Sequence, residues 1–282
     1  MIGILYIVAT PIGNLADITQ RAIQTLKDVD IIAAEDTRHT HKLLQHYAID
    51  TKTISYHEHN EQQRSVELLA RLLAGSDVAI VSDAGTPGIN DPGFRLVRLA
   101  IENNISVVSV PGPSALVTAL VASGLPTGEF FFAGFLPARS GARRTRLVEL
   151  RDVPGTLVLY EAPHRLRATL KDAAEVLGGV RQAVVARELT KLHEELRRGT
   201  LLELAEHYGK SENPRGEIVL LVDRQRDAGL ADATSEKVDI SGLVARFESE
   251  GLDHRAALKK AARELGLSRA EAYRMLVLQR RD

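Results

Sequence analysis

The chain has 282 residues, 44% hydrophobic and 26% charged: length for roughly two domains and enough apolar content for a full core, which excludes intrinsic disorder. It contains no cysteine, which removes disulfides, thiolate-zinc sites and a cysteine nucleophile together and fits a cytoplasmic protein. A formal net charge of −1 excludes nucleic-acid binding by overall charge, so contact with RNA has to come from local basic patches or from RNA already held in a particle.

No apolar run reaches the ~18 residues of a membrane span. The opening Met1-Ile2-Gly3-Ile4-Leu5-Tyr6 has neither a basic segment nor a small-residue cleavage site, so no signal peptide is expected. Residues 4–8, 29–34, 52–56, 78–82 and 106–110 read as strands. Residues 17–27, 61–73 and 91–102 read as helices by their apolar spacing. This alternation predicts an α/β fold: a largely parallel sheet with helices on both faces. The rhythm breaks at Ser109-Val110-Pro111-Gly112-Pro113, and a helix of small residues follows over 114–123. A second α/β unit has expected strands at 130–135, 156–160, 183–186 and 218–222 and helices at 166–177 and 201–208. Polar residues 224–236 read as a linker. Three helical segments follow at 240–250, 255–265 and 269–280, with a Gly266-Leu267-Ser268 break of helix-turn-helix character and Ser268 and Glu271 at capping-box spacing. The expected domains are 1–122, 123–223 and a helical module at 237–282.

Ligands of open α/β sheets gather beyond the carboxyl ends of the strands. The unusual residues of this chain fall there: Ala9-Thr10-Pro11-Ile12-Gly13-Asn14 after the first strand, Glu35-Asp36-Thr37-Arg38 after the second, Asp83-Ala84-Gly85-Thr86-Pro87-Gly88-Ile89 after the fourth and Pro111-Gly112-Pro113-Ser114-Ala115 after the fifth. There is no GxGxxG after the first strand and no Walker loop, which argues against an ordinary dinucleotide or nucleotide-triphosphate site. Any one of these loops reads equally well as a plain βα turn. Four together point to a ligand that approaches the backbone closely.

These segments resemble the signature of the 16S rRNA cytidine 2'-O-methyltransferases of the tetrapyrrole-methylase superfamily. The resemblance continues through Gly134-Phe135-Leu136-Pro137, Tyr160-Glu161-Ala162-Pro163-His164-Arg165, Ala186-Arg187-Glu188-Leu189-Thr190-Lys191 and Arg215-Gly216-Glu217, and covers the chain to about Val222. It implies two αβα domains with a cofactor cleft between them, a small C-terminal helical module, a homodimer, and S-adenosylmethionine bound mainly through backbone groups. Carried onto this sequence, it places Ile12, Thr86, Ile89, Ser114, Ala115, Tyr160 and the turn Pro214-Arg215-Gly216 against the cofactor, with Pro11, Asp83 and Gly85 in the same loops. Thr86 stands where tetrapyrrole methylases often carry an acidic residue.

Transfer of a methyl group from a sulfonium to a ribose hydroxyl needs alignment and help in removing a proton from a poor nucleophile. Asp36, Glu161, Glu188 and Lys191 are the candidates. Lys191 is read either as stabiliser of the developing alkoxide or as a base with a depressed pKa, Glu188 as its orienter or salt-bridge partner, and each of the four equally as part of an ion pair bracing the cleft. His39/His41 and His57/His59 have His-x-His spacing, but displacement at a sulfonium needs no Lewis acid, so no metal is expected. The RNA-facing candidates are Arg38, His57, Arg143, Arg144, Arg146, Arg165, Lys259 and Lys260; the remaining basic residues of the tail, including Arg269, Arg274, Arg280 and Arg281, are interleaved with acids. The expected partner is 16S rRNA within the assembled 30S subunit, with no membrane. A tetrapyrrole methyltransferase and a non-catalytic ribosome-binding protein are the alternatives, disfavoured by the helical module and by the intact cofactor loops respectively.

Overall fold

Five short apolar runs build the first sheet, and the polar segments between them supply its helices. In chain order they are β1 (Leu5–Val8), α1 (Gln20–Asp28), β2 (Ile31–Ala34), α2 (Thr37–His46), β3 (Thr53–Ser55), α3 (Glu61–Leu73), β4 (Val78–Val81), α4 (Phe94–Glu102) and β5 (Val107–Val110). The strand order is β3-β2-β4-β1-β5, parallel throughout. Every residue of β2 and β4 is buried, which explains why these strands read as continuous apolar runs. One face packs Leu26, Leu43 and Leu44 against Val8, Ile32 and Val81; the other packs Leu68, Leu72 and Leu96 against Leu5, Ile31 and Ile80. Each such side chain stabilises the fold by about 1.5–3 kcal/mol relative to exposure. Thr19 and Asp36 cap α1 and α2 by accepting from Ala22 N and Arg38 N. The computed structural model describes residues 2–210, 214–224 and 240–265, together with Leu267, Ala272, Tyr273 and Leu276.

The next elements are α5 (Ala115–Ser123), β6 (Phe130–Phe135), α6 (Ser140–Leu150), β7 (Thr156–Glu161), α7 (Leu166–Leu177), β8 (Gln182–Arg187), β9 (Glu195–Thr200), α8 (Leu201–Lys210) and β10 (Ile218–Val222). They form a mixed sheet of order β6-β7-β10-β8-β9, in which only β6 and β7 run parallel. Three differences from the sequence reading have clear causes. The strand β9 went unread because its sequence, Glu195-Leu196-Arg197-Arg198-Gly199-Thr200, is that of a charge-protected edge. The helix expected from residue 91 begins only at Phe94, because Pro92 and a Gly93 with φ of 143° keep residues 91–93 in the loop. Finally, α5, grouped by sequence with the first unit, packs its Ala119 and Leu120 on the second sheet, beside Val158, Val184 and Leu221.

The chain divides into Met1–Gln225, which holds both sheets, and Arg226–Asp282. Within the latter, α9 (Ile240–Ser249) and α10 (His254–Glu264) pack through Ile240, Val244, Phe247, Leu258 and Ala261, and Asp253 caps α10. Lys259 and Lys260 are exposed on α10, with Lys260 near Glu250 and over the Phe247 ring. The expected linker, apart from Arg224, the capping pair Ser268 and Glu271, and Gly266, Arg269, Arg274, Arg280 and Arg281 lie outside the described residues. Among the described residues no helix is long and apolar enough to cross a membrane.

The basic cluster after β6 is corrected by this fold. The Arg143 guanidinium, 3% exposed, is bound to the buried Asp172 of α7 at 2.6 Å, and Ser140 donates to the same carboxylate. Arg144 pairs with Glu175 and Arg146 with Glu149. Arg143 is therefore a clamp between α6 and α7 with no access to phosphate. Arg143→Ala removes the buried partner of Asp172 and should lower unfolding free energy by about 3–5 kcal/mol, whereas Arg146→Ala should change it by less than about 1 kcal/mol. Urea titrations of the two variants check the contrast.

Candidate functional site

The loops leaving the carboxyl ends of β1 and β4 are tied together by backbone. Thr10 N donates to Gly85 O at 2.9 Å, Gly85 N to Thr10 O at 3.0 Å, and the buried Thr10 hydroxyl to Ser82 O at 3.0 Å. Gly85 sits at φ of 83°, a conformation that costs glycine little. The β5 loop joins them: a Cβ on Gly112 would lie 3.0 Å from the Ala9 methyl. On the far side, Asn90 Oδ1 lies 2.6 Å from where a Cβ of Gly134 would be, so the β4 loop touches β6 at a bulge.

Between these loops and the ends of β7 and β10 is a cavity of about 290 Å³. Ile12, Gly85, Thr86 and Ile89 line it from the β1 and β4 loops, Ser114 and Ala115 from the start of α5, and Tyr160 and Gly216 from the second sheet. These eight are the cofactor-site residues of the sequence reading that come together. The other four of that set do not line it: Pro11, Pro214 and Arg215 are chain neighbours of lining residues, and Asp83 instead accepts from Asp36 N at 3.0 Å, holding the β2 and β4 loops together. The Tyr160 ring meets Phe132 and Phe135 edge-on, giving the cavity an aromatic wall.

The four catalytic candidates prove to be engaged with partners. Asp36 is held by Arg38 through a two-pronged ion pair at 3.2 and 3.0 Å, and that hydrogen bonding lowers its pKa to about 2, which makes it a poor base. Glu161 borders the cavity, but in β7 its side chain points opposite to Tyr160. Its carboxylate accepts from Ala162 N and from Thr169 and pairs with Arg165 at 3.2 Å, so it braces β7 against α7. Arg165, which also donates to Leu136 O, is thereby withdrawn from the RNA-facing set. Lys191 Nζ bonds Glu188 Oε1 at 2.9 Å and Glu217 Oε2 at 3.3 Å, and Glu217 N donates to the same Glu188 oxygen. Burial works to lower the Lys191 pKa, but the bond to Glu188 and the charges of Glu217 and Glu188 outweigh it and hold the ammonium above its ordinary range. The reading of Lys191 as a base with a depressed pKa is corrected; a fixed cation remains. Its stem crosses Gly13, where an added Cβ would lie 2.5 Å from Cγ.

The turn carrying Glu188 and Lys191 is strained. Glu188 and Thr190 have φ of 52° and 65°, unusual for residues other than glycine and a feature that clusters at functional sites. Nothing in the sequence signals this strain. Asp91, Asn90 and Leu189 also line the cavity and were not singled out by sequence. The available signal for Asp91 was its place in Asp91-Pro92-Gly93, directly after the β4 motif. Of the remaining RNA-facing candidates, Arg38 has a side chain 90% exposed, and His57 lies in a turn, bonded through its N–H to Asn60 Oδ1. Among the described residues no three His, Asp or Glu side chains form a group able to hold a metal ion.

The family model described as tetrapyrrole (corrin/porphyrin) methylases matches residues 4–205. A protein of Mesorhizobium japonicum named ribosomal RNA small subunit methyltransferase I is 49% identical over 97% of this chain and 91% of its own length. One of the same name from Vibrio cholerae is 54% identical over 80% and 79%. Among solved structures, uroporphyrin-III C-methyltransferase from Thermus thermophilus, complexed with S-adenosylhomocysteine, superposes with a TM-score of 0.56 at 22% identity over 78% of this chain and 97% of its own. A conserved hypothetical protein of Aeropyrum pernix reaches 0.63 at 16% identity, over 81% of this chain and 87% of its own; both likenesses concern the fold. By its matched domain and by relatives aligned over nearly its whole length, the chain belongs to the tetrapyrrole (corrin/porphyrin) methylase family, within the branch of the small-subunit ribosomal RNA methyltransferases I.

Proposed function

We propose that this protein transfers the methyl group of S-adenosylmethionine to the ribose 2'-hydroxyl of a cytidine in 16S rRNA. The observation that carries the cofactor half is the cavity made of three strand-end loops and closed by Tyr160 and Gly216. Its fit to the cofactor rests on backbone approach. A Cβ at Gly85 would point between Ile12 Cγ2 and Pro113 O, at 3.5 and 3.8 Å, filling the cradle that the loops form. The apolar walls, with Ile12, Ala115, Leu189 and Tyr160 among their residues, suit an adenosine. When bound, S-adenosylmethionine supplies a methyl group already activated by the sulfonium.

The acceptor half rests on the relatives, which are named as small-subunit ribosomal RNA methyltransferases. Lys191, held as an ammonium by two carboxylates, is suited to stabilise negative charge developing on the attacking oxygen. The near-neutral net charge favours RNA presented in an assembled 30S subunit. Exposed Val66 and Leu73 on α3 and Ile101 on α4 support a homodimer. A cytoplasmic location accords with that substrate.

Incubation with labelled S-adenosylmethionine and 30S subunits lacking the modification should give 2'-O-methylcytidine in 16S rRNA, mapped by nuclease digestion and mass spectrometry; label in a porphyrinoid instead would assign the enzyme to small molecules. Gly216 has φ of 90°, and a Cβ there would overlap the Glu188 carboxyl at 2.1 Å. Gly216→Ala should weaken S-adenosylhomocysteine binding by about tenfold or more in calorimetry. Lys191→Ala should leave that binding within about threefold while kcat falls roughly 10²-fold; an unchanged kcat would remove Lys191 from the chemistry.

A further inference from the structure

Beside the cofactor cavity runs a second, larger groove of about 560 Å³ along the exposed face of α4, lined by Phe94, Arg95 and Arg98 and bounded by Glu58 and Glu61. Asp91 and Asn90 line both spaces, and among the described residues Asp91 is the one ionisable side chain common to the two linings. We propose that the groove receives the acceptor nucleotide and that Asp91, at the junction, is the general base that takes the proton of its 2'-hydroxyl. The proposal rests on the methyl-transfer reading above and adds to it the residue and the path of entry.

The groove has the chemistry of a single nucleotide site. Phe94 is 72% exposed, an open ring for a base to stack on. Arg95 beside it offers a guanidinium to a phosphate. The exposed Glu58 carboxylate at the rim suits the exocyclic amine of a cytosine. Glu61 is already occupied, accepting from Tyr56 and from Gly93 N.

Several other acids around the cavity are held by cations or hydrogen-bond donors, among them Glu217, which lines it and pairs with Lys191. Asp36 is neutralised by Arg38, Glu161 by three partners, and Glu188 by Lys191. Asp91 is half-buried, and the Ser82 hydroxyl, which lies 3.4 Å from both Ala84 O and Gly85 O, acts to lower its pKa. The groups facing it are Glu35 and Asp83 at the ends of β2 and β4 and Tyr160 on β7, with Glu61 and Arg95 along the groove. Burial and the charge of Glu35 raise its pKa to about 6, against the Ser82 hydroxyl, and Asp83 adds to the rise. Such a carboxylate is ionised at neutral pH and more basic than an ordinary one. In the step, the hydroxyl oxygen bonds the methyl carbon and its proton passes to Asp91. The carbon–sulfur bond breaks with its electron pair left on sulfur, and the carboxylic acid later returns the proton to water.

Steady-state methylation of unmodified 30S subunits across pH 5–8 tests this. The wild-type rate should rise with pH through about 6 and fall tenfold per unit below it. Asp91→Asn should retain S-adenosylhomocysteine and 30S binding within about threefold while kcat falls about 10²–10⁴-fold. Asp91→Glu should restore part of the rate. Ser82→Ala, which removes the hydroxyl that lowers the Asp91 pKa, should move the acidic limb upward, and it stands as the readout if Asp91→Asn unfolds. Near-wild-type kcat in Asp91→Asn, an unmoved limb in Ser82→Ala, or a loss confined to cofactor affinity overturns the assignment. Absence of transfer by the wild-type enzyme would instead overturn the methyl-transfer reading itself.

Discussion

The site depends on the reciprocal backbone pair between Thr10 and Gly85. The paired parallel strands β1 and β4 deliver their loops side by side at one edge of the sheet, but strand pairing alone does not lock the loops together. The bridge does so, and the buried Thr10 hydroxyl locks it to Ser82. With the β1 and β4 loops held together, the β5 loop has a surface to pack on, and a cradle of backbone groups forms. A cradle of this kind recognises a ligand at little entropic cost, because few long side chains have to be ordered.

The second sheet closes the cradle with a different device. Tyr160 gives an aromatic wall, and the turn from Glu188 to Lys191 accepts two residues in left-handed conformations. That strain is held by Glu188 N on Glu217 O, by Glu217 N on the Glu188 carboxylate and by the ion pairs of Lys191. Such a network over-determines the turn, so the cost of the strained residues is offset by fixed geometry for one cation. The aliphatic stem of Lys191 lies over Gly13 of the β1 loop, so the same residue ties that loop to the turn after β8.

Charge is distributed unevenly around this site. Most acids and bases that look reactive in sequence are consumed in pairs: Asp36 with Arg38, Glu161 with Arg165, Arg143 with Asp172. The pairs cap helices, tie strands to helices and fix loops. Beside the cavity Glu35, Asp83 and Asp91 form a cluster of carboxylates, and burial followed by the charge of Glu35 raises the Asp91 pKa to about 6. Residues whose charge is not spent on the fold are the ones available to a substrate.

The sequence by itself determined the α/β class, the strands buried on both faces and the loops that make the cradle, because burial period and the Gly-Pro chemistry of turns are local properties. The loops carrying six of the cofactor-site residues were legible for the same reason, since the carboxyl ends of parallel strands share an edge wherever the strands lie; the individual positions, and Tyr160 and Gly216 of the mixed sheet, came from the family resemblance. Partner choice was not legible. Arg143 looked like a phosphate ligand until α6 was set against α7, and Glu161 looked like a base until the strand's alternation turned it toward Thr169. Asp91 looked like the start of a helix, and only the tertiary structure placed it between two cavities. Pairing and burial of charge depend on which distant segments meet, and that is decided by packing of the whole chain.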